Sequence, residues 1–102
     1  MPMDRGIHAT FYANPRGTPV EHDLLDLYRS FYKDSPFVRI LNNPPNTKDT
    51  TGTNFCDITL RVVRGKIVIL ACIDNLLKGA SGVAVQNFNL MHELPETTGL
   101  WM

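Results

Sequence analysis

Ile73-Asp74-Asn75-Leu76-Leu77-Lys78-Gly79-Ala80-Ser81-Gly82-Val83-Ala84-Val85-Gln86-Asn87 is the segment in which the periodicity of the chain changes. The apolar run that ends at Ile73 is typical of a buried strand, and the pattern from about Ala80 to His92 predicts a helix. A polar Asp-Asn pair, a lysine and two glycines separate the two. Glycines at such a junction let the backbone approach a ligand or another domain closely.

The strand that enters this segment is predicted to be half of a hairpin. Residues 55–63 alternate, with Cys56, Ile58, Leu60 and Val62 on one face, and Arg64-Gly65 supplies a tight turn. Residues 67–73 are continuously apolar, which is typical of a strand that is covered on both faces.

The first third of the chain predicts a strand followed by a helix. Residues 5–14 alternate between apolar and polar side chains, which indicates a half-buried strand. Thr18 and Glu21 have the spacing of a capping box, and Pro19 occupies the first helical position. Apolar residues at helical spacing then predict an amphipathic helix from Pro19 to about Lys33.

A short strand at 37–41 and a polar loop at 42–54 connect that helix to the hairpin. Long loops without apolar side chains are usually functional or disordered. The predicted order is strand, helix, strand, hairpin, helix. It indicates an α+β fold with a mixed, largely antiparallel sheet and helices on one side.

Composition excludes several classes of protein. A length of 102 residues suits one small domain, and ten basic residues balance ten acidic ones. We therefore expect no nucleic-acid partner and no attraction to anionic membranes. No apolar run approaches the roughly 20 residues of a membrane span, and the first residues do not resemble a secretory signal. Cys56 and Cys72 lack metal-type spacing, so free thiols and a cytoplasmic location are expected.

The residues alone do not specify a reaction. The chain has no Gly-x-Gly-x-x-Gly motif after its first strand, and its histidines do not form a metal pair. Cys56 and Cys72 lie within apolar strands, where thiols are inert. Lys78 to Gly82 precede a helix with Ser81 as a candidate N-cap, so they represent either an anion site or a simple glycine-containing junction. Trp101 in the tail is expected to pack against another surface.

Motifs throughout the chain add a resemblance to these patterns. They are Pro2-Met3-Asp4-Arg5-Gly6-Ile7, Pro36-Phe37-Val38-Arg39, Asn46-Thr47-Lys48, Gly52-Thr53-Asn54-Phe55-Cys56-Asp57, the segment 73–87, and Glu96-Thr97-Thr98-Gly99-Leu100. In this order they resemble the C-terminal part of the N-acetyl-gamma-glutamyl-phosphate reductases of the semialdehyde dehydrogenase superfamily.

The resemblance implies a part of a larger enzyme. In that family an NADPH-binding Rossmann domain comes first, a cysteine forms a thioester with the acyl phosphate, and a histidine assists. These groups are expected upstream of Met1, so no catalytic residue is expected in this chain and it should be inactive alone. Residues 1–78 would be the later half of the catalytic and dimerisation domain. Residues 79–102 would return to the absent Rossmann domain, and the sheet would form a homo-oligomer.

The resemblance also implies roles for individual residues. Arg5 would orient a carboxylate or acyl phosphate, with a structural ion pair as the alternative, and Lys48 and Asn54 would lie near the substrate. The residues implied on the NADP side are Asn75, Lys78, Gly79, Ser81 and Gly82. No metal site is expected.

Two alternatives share the same motifs or the same fold. Relatives that reduce a carrier-linked aminoadipyl phosphate in lysine synthesis resemble the chain in these motifs. A non-catalytic module that dimerises through its sheet is the third hypothesis.

Overall fold

The computed structural model describes residues 5–15, 17 and 20–100 and is built on a four-stranded sheet. Its strands are β1 (Ile7–Ala13), β2 (Val38–Ile40), β3 (Cys56–Val63) and β4 (Lys66–Ile73). Its helices are α1 (Glu21–Phe31), α2 (Thr47–Thr50) and α3 (Gly82–Met91), and a π-helical turn (Leu77–Ser81) precedes α3.

The sheet has the spatial order β1-β4-β3-β2. Strands β3 and β4 form the predicted hairpin, and β1 pairs antiparallel with β4 so that Ile7 lies opposite Ile73. The short β2 runs parallel to β3, because α1 returns the chain across the sheet before β2 begins. The predicted α+β class with a mixed, largely antiparallel sheet is confirmed.

The coverage of the sheet is uneven. Phe11, Ile69 and Leu60 are aligned across three strands and therefore share one face. Leu60 is 1% exposed, whereas Phe11 is 54% exposed. The residues 67–71 of β4 are only half-buried. The prediction that β4 is covered on both faces is therefore wrong for the described chain, because α1 packs mainly on β3 and β2 rather than on β4.

Helix α1 is shorter than its pattern predicts. It begins at Glu21 after an extended Val20, and it ends at Phe31 rather than near Lys33. Thr18 of the predicted capping box lies outside the described residues, as does Pro19. The Glu21 carboxylate accepts a hydrogen bond of 3.0 Å from the backbone N–H of Val62, so this side chain joins the helix to β3.

The predicted loop 42–54 contains the helix α2. The Asn46 side chain caps it by accepting a 3.0 Å bond from the backbone N–H of Lys48, and Thr50 is fully buried. The sequence pattern missed this helix because one turn of polar residues has no hydrophobic periodicity. Arg39 stands close by and binds the buried Asp57 through Nε at 2.5 Å and Nη2 at 2.8 Å.

The C-terminal part contains more regular structure than the predicted helix and tail. The predicted helix from about Ala80 to His92 is instead a π turn that leads directly into α3, and residues 95–100 turn back towards α3. Trp101 lies outside the described residues. None of the helices in the described ranges has the length and apolar character that a membrane crossing requires.

Candidate functional site

Asp74 is the centre of the junction between β4 and α3. It follows the last residue of β4, and none of its side chain is exposed. Its Oδ1 accepts bonds from Arg5 Nε at 2.9 Å and from the backbone N–H of Leu76 at 3.0 Å. Its Oδ2 accepts from the backbone N–H of Gly52 at 2.6 Å and lies 2.8 Å from Arg5 Nη2. One carboxylate therefore connects three distant segments.

These donors keep Asp74 ionised. The hydrogen bond from Arg5 lowers the pKa of Asp74 to about 2, and the amides of Leu76 and Gly52 act in the same direction. Burial opposes this shift but is outweighed. Asp74 was predicted only as part of the junction, without a role, because nothing in the sequence distinguishes it from an ordinary turn residue after a strand.

Arg5 makes the structural ion pair that the sequence left as an alternative. The same bond to Asp74 raises the pKa of Arg5, so its guanidinium is permanently charged. The side chain stays 38% exposed, and Nη1 takes no part in the pair with Asp74. The guanidinium is thus fixed on one side and accessible on the other.

Asn75 fixes the start of β1. Its Oδ1 accepts a 2.9 Å bond from the backbone N–H of Gly6, which has a φ of 107°. A Cβ at Gly6 would lie 2.9 Å from Cβ of Thr47, so α2 also approaches this point. Arg5, Asn75 and α2 are therefore brought together around the end of β4.

The backbone amides of the π turn are bonded within the turn itself. The backbone N–H groups of Gly79, Ser81 and Gly82 each donate to the carbonyl five residues earlier. The Ser81 hydroxyl donates to the carbonyl of Leu76 at 3.0 Å and makes no capping bond to α3. The prediction of Ser81 as an N-cap is wrong, because the chain is already helical before α3 begins.

The two glycines of the junction pack against atoms of the chain itself. A Cβ at Gly82 would lie 1.8 Å from Oδ1 of Asn54 and 2.6 Å from the carbonyl oxygen of Leu77. A Cβ at Gly79 would lie 3.2 Å from the carbonyl oxygen of Asp74. Close internal approach therefore explains both glycines, and Gly82 is the stricter case.

Lys78 is directed into the protein. Its Nζ donates to Oε1 of Gln86 and lies 5.1 Å from the centre of the Phe37 ring. Burial lowers the pKa of Lys78, although nearby Glu96 partly offsets this effect. The Nε2 of Gln86 donates to the Glu96 carboxylate, so the polar contacts extend to the C-terminal segment.

A cleft of about 200 Å³ brings together three of the predicted residues. Asn54, Ser81 and Gly82 line it together with Leu77, Val85, Gly99 and Leu100. Lys78 and Gly79 belong to the π turn, Asn75 precedes it, and Arg5 is bound to Asp74. Lys48 is exposed on α2 and does not line this cleft.

The two cysteines have the environment of inert thiols. Burial raises the pKa of Cys56, which is half-buried, although nearby Lys78 acts in the opposite direction. Burial and the charge of Asp57 raise the pKa of fully buried Cys72 to about 11. No group of His, Cys, Asp and Glu side chains suited to a metal ion occurs in the residues the structure describes.

Known proteins with similar sequences agree with the motif pattern. Residues 1–75 match the family model of the semialdehyde dehydrogenase dimerisation domain. Over 98% of its length, the chain is 51% identical to the N-acetyl-gamma-glutamyl-phosphate reductase of Citrifermentans bemidjiense and 53% identical to that of Geotalea daltonii. It spans only 30% of the length of each relative.

A solved structure supports the fold. Aspartate semialdehyde dehydrogenase II from Vibrio cholerae matches 87% of the chain with a TM-score of 0.69 and 18% identity, over 28% of its own length. At this identity the likeness concerns the fold alone. The family model, which matches most of the chain, and the two reductases confirm the resemblance inferred from the motifs. The chain therefore belongs to the semialdehyde dehydrogenase dimerisation-domain family.

Proposed function

We propose that the chain is the C-terminal part of an NADP-dependent N-acetyl-gamma-glutamyl-phosphate reductase of arginine biosynthesis. The observation that carries this proposal is about 50% identity, over nearly the whole chain, to reductases of that name. Such an enzyme converts the acyl phosphate to the semialdehyde. The thiol nucleophile, the acid–base histidine and the Rossmann domain would be supplied by the rest of the polypeptide, so the chain alone would be inactive.

The residues on the cofactor side fit a contact with one edge of NADP rather than a complete binding site. Ser81 is exposed, and the Nδ2 of Asn75 takes no part in the bond to Gly6. Lys78, Gly79 and Gly82 are packed or bonded internally and would hold the turn in shape. When bound, NADPH would supply the hydride for the reduction.

On the substrate side, Arg5 is the main candidate. Its fixed guanidinium retains an exposed edge that suits a carboxylate or a phosphate. Lys48 is an exposed cation that would increase the local positive charge. Asn54 is buried against Gly82, so we assign it the shaping of the junction beside the substrate.

Exposed apolar side chains support the proposed partners. Phe88 and Met91 of α3 are largely exposed, as expected if residues 79–102 pack on the Rossmann domain and residues 1–78 form the catalytic and dimerisation part. Phe11 and Tyr12 of β1 are exposed on opposite faces of the sheet, which supports a homo-oligomer formed through it. The free thiols Cys56 and Cys72 support a cytoplasmic location. The balanced charge supports a protein that binds neither nucleic acid nor an anionic membrane.

The direct test is an assay of the natural polypeptide that carries this chain. NADPH oxidation is expected with N-acetyl-gamma-glutamyl phosphate, whereas the isolated 102 residues should show none. Absence of turnover by the natural polypeptide, or turnover by the isolated chain, would contradict the proposal. Arg5→Ala should reduce kcat/KM by at least about tenfold. Arg64→Ala, at an exposed turn, is the matched control.

The oligomer has its own test. Phe11→Glu and Tyr12→Glu each place a charge on one face of β1, and light scattering after gel filtration gives the mass of each variant. If the sheet forms the contact, one of the two should yield the smaller species. An unchanged mass for both would show that the contact lies elsewhere.

A further inference from the structure

Asn89 is a buried polar residue in the interior of α3. The residue is 2% exposed, and asparagine is a poor helix former whose burial is unfavourable unless its amide is bonded. Its Nδ2 donates to the carbonyl oxygen of Glu96 at 3.0 Å and to that of Thr98 at 2.8 Å. Both donor hydrogens of the amide are therefore used outside the helix.

The backbone of Asn89 takes part in the same reversal of the chain. Its carbonyl accepts a 2.8 Å bond from the N–H of Leu94, and the N–H of Glu93 donates to Leu90 at 3.4 Å. Glu93 has a φ of 56°, so this is a Schellman motif with a residue other than glycine in the left-handed position. It directs the chain back along α3.

The returning segment, residues 95–100, consists of two successive turns. The N–H of Thr98 donates to Pro95, and that of Leu100 donates to Thr97, both at 3.0 Å. A second connection runs from Lys78 through Gln86 to Glu96, by way of their side chains. The segment is thus attached both to the middle of α3 and to the π turn.

This attachment places Gly99 and Leu100 in the cleft that contains Gly82. We propose that the returning segment is a wall of this cleft and that Asn89 is the positioning residue that holds it there. The importance of Asn89 for the reaction rests on the function proposed above. The effect of Asn89 on the returning segment is independent of that function.

Hydrogen–deuterium exchange of the natural polypeptide tests the attachment. Asn89→Asp removes both amide donors and directs a carboxylate at two carbonyl oxygens, so exchange in residues 95–100 should accelerate at least about tenfold. Peptides from residues 77–85, the opposite wall, should also exchange faster. Asn87→Asp makes the same change at an exposed position of α3 and should alter neither region.

A second variant acts without touching the helix. Gly99 has a φ of 73°, so Gly99→Ala strains the returning segment and should accelerate its exchange about fivefold. If Asn89→Asp also reduces protection in β3 and β4, the whole fold is affected, and Gly99→Ala becomes the deciding variant. The proposal is overturned if residues 95–100 exchange at an unchanged rate in a folded Asn89→Asp protein. Where Asn89→Asp destabilises the whole fold, an unchanged rate in Gly99→Ala overturns it.

Kinetics distinguish positioning from a purely structural role. In the reductase, Asn89→Asp should raise the KM for NADPH or for N-acetyl-gamma-glutamyl phosphate by at least about fivefold. The kcat should change little, since the wall contributes to binding. Faster exchange with an unchanged KM would overturn the positioning role. If the wild-type polypeptide has no reductase activity, the proposed function fails, but the exchange in both walls still decides whether Asn89 holds the segment against the cleft.

Discussion

The guanidinium of Arg5 binds the carboxylate of Asp74 through two nitrogens, with Nε 2.9 Å from Oδ1 and Nη2 2.8 Å from Oδ2, although 69 positions separate the residues. This pair joins the start of β1 to the end of β4. Because Asp74 also binds the amides of Gly52 and Leu76, the carboxylate fixes the geometry from which the exposed edge of Arg5 is presented.

Replacement of Asp74 should be costly. Asp74→Asn removes the charge opposite Arg5. It also places an amide donor where one guanidinium N–H and one backbone N–H already donate, because each carboxylate oxygen accepts one bond of each kind. We expect a loss of about 3 kcal/mol in the free energy of unfolding, measured with urea. Asp26→Asn, at an exposed carboxylate that pairs with His22 and Arg29, should cost at most about 0.5 kcal/mol. Equal losses in the two variants would contradict this assignment.

The contribution of Asp74 should depend on pH in a defined direction. Its pKa in the folded chain is about 2, below the ordinary value of 3.8, so the folded state binds fewer protons. The stabilisation is therefore complete above about pH 4 and is lost as the pH falls towards 2. We would measure the free energy of unfolding of wild type and Asp74→Asn in urea between pH 5 and pH 2. The difference between the two should stay constant down to about pH 4 and shrink below it. A difference that stayed constant down to pH 2 would contradict the depressed pKa.

The two helical glycines should respond differently to alanine. Gly82→Ala drives a Cβ into Asn54 and the Leu77 carbonyl, and we expect a loss of about 3 kcal/mol in unfolding free energy. At Gly79 the nearest atom would be 3.2 Å away. A small shift there is offset by the better helix propensity of alanine, so Gly79→Ala should change stability by less than about 1 kcal/mol. A larger loss of stability in Gly79→Ala than in Gly82→Ala would contradict the close packing of Gly82 against Asn54 and Leu77.

Cys72 should be unreactive while the chain is folded. Its pKa of about 11 leaves roughly one thousandth of the thiol ionised at pH 8, and the side chain is fully buried. A chromogenic disulfide reagent should label it slowly in buffer and rapidly in urea. Ser30→Cys, which adds an exposed thiol on α1, provides the fast reference in the folded state. Equally rapid labelling of Cys72 in buffer would contradict its buried position.

Regular patterns of side chains predicted most of the fold. The alternation in β1 and β3 and the continuous apolar run of β4 identified three strands, and helical spacing identified α1. The motifs identified the family. Residues 47–50 and the π turn were missed. One turn of polar residues has no hydrophobic periodicity, and side-chain spacing over five residues does not distinguish a π turn from the start of an α-helix.

The candidate site was only partly predictable for the same reason. The motif pattern selected Arg5, Asn54, Asn75 and the junction around Gly82, and the structure brings several of them close together. The motif pattern did not reveal Asp74 or Asn89 as centres of hydrogen bonding. Both are common residue types whose importance arises from burial. Asp74 is bonded to Arg5 and Gly52, which are far away in sequence, and Asn89 is bonded to a chain reversal that local periodicity does not indicate.

The pairing of β1 with β4 has a consequence for the order in which the sheet assembles. Val63 and Lys66 are neighbours across a tight turn, whereas the partner of Ile7 is Ile73. Closing the longer loop costs more chain entropy, so the β3–β4 hairpin is expected to form early and to act as the template for β1. During synthesis at the ribosome, β1 emerges before β4 and therefore waits for β4 before it has a place in this sheet.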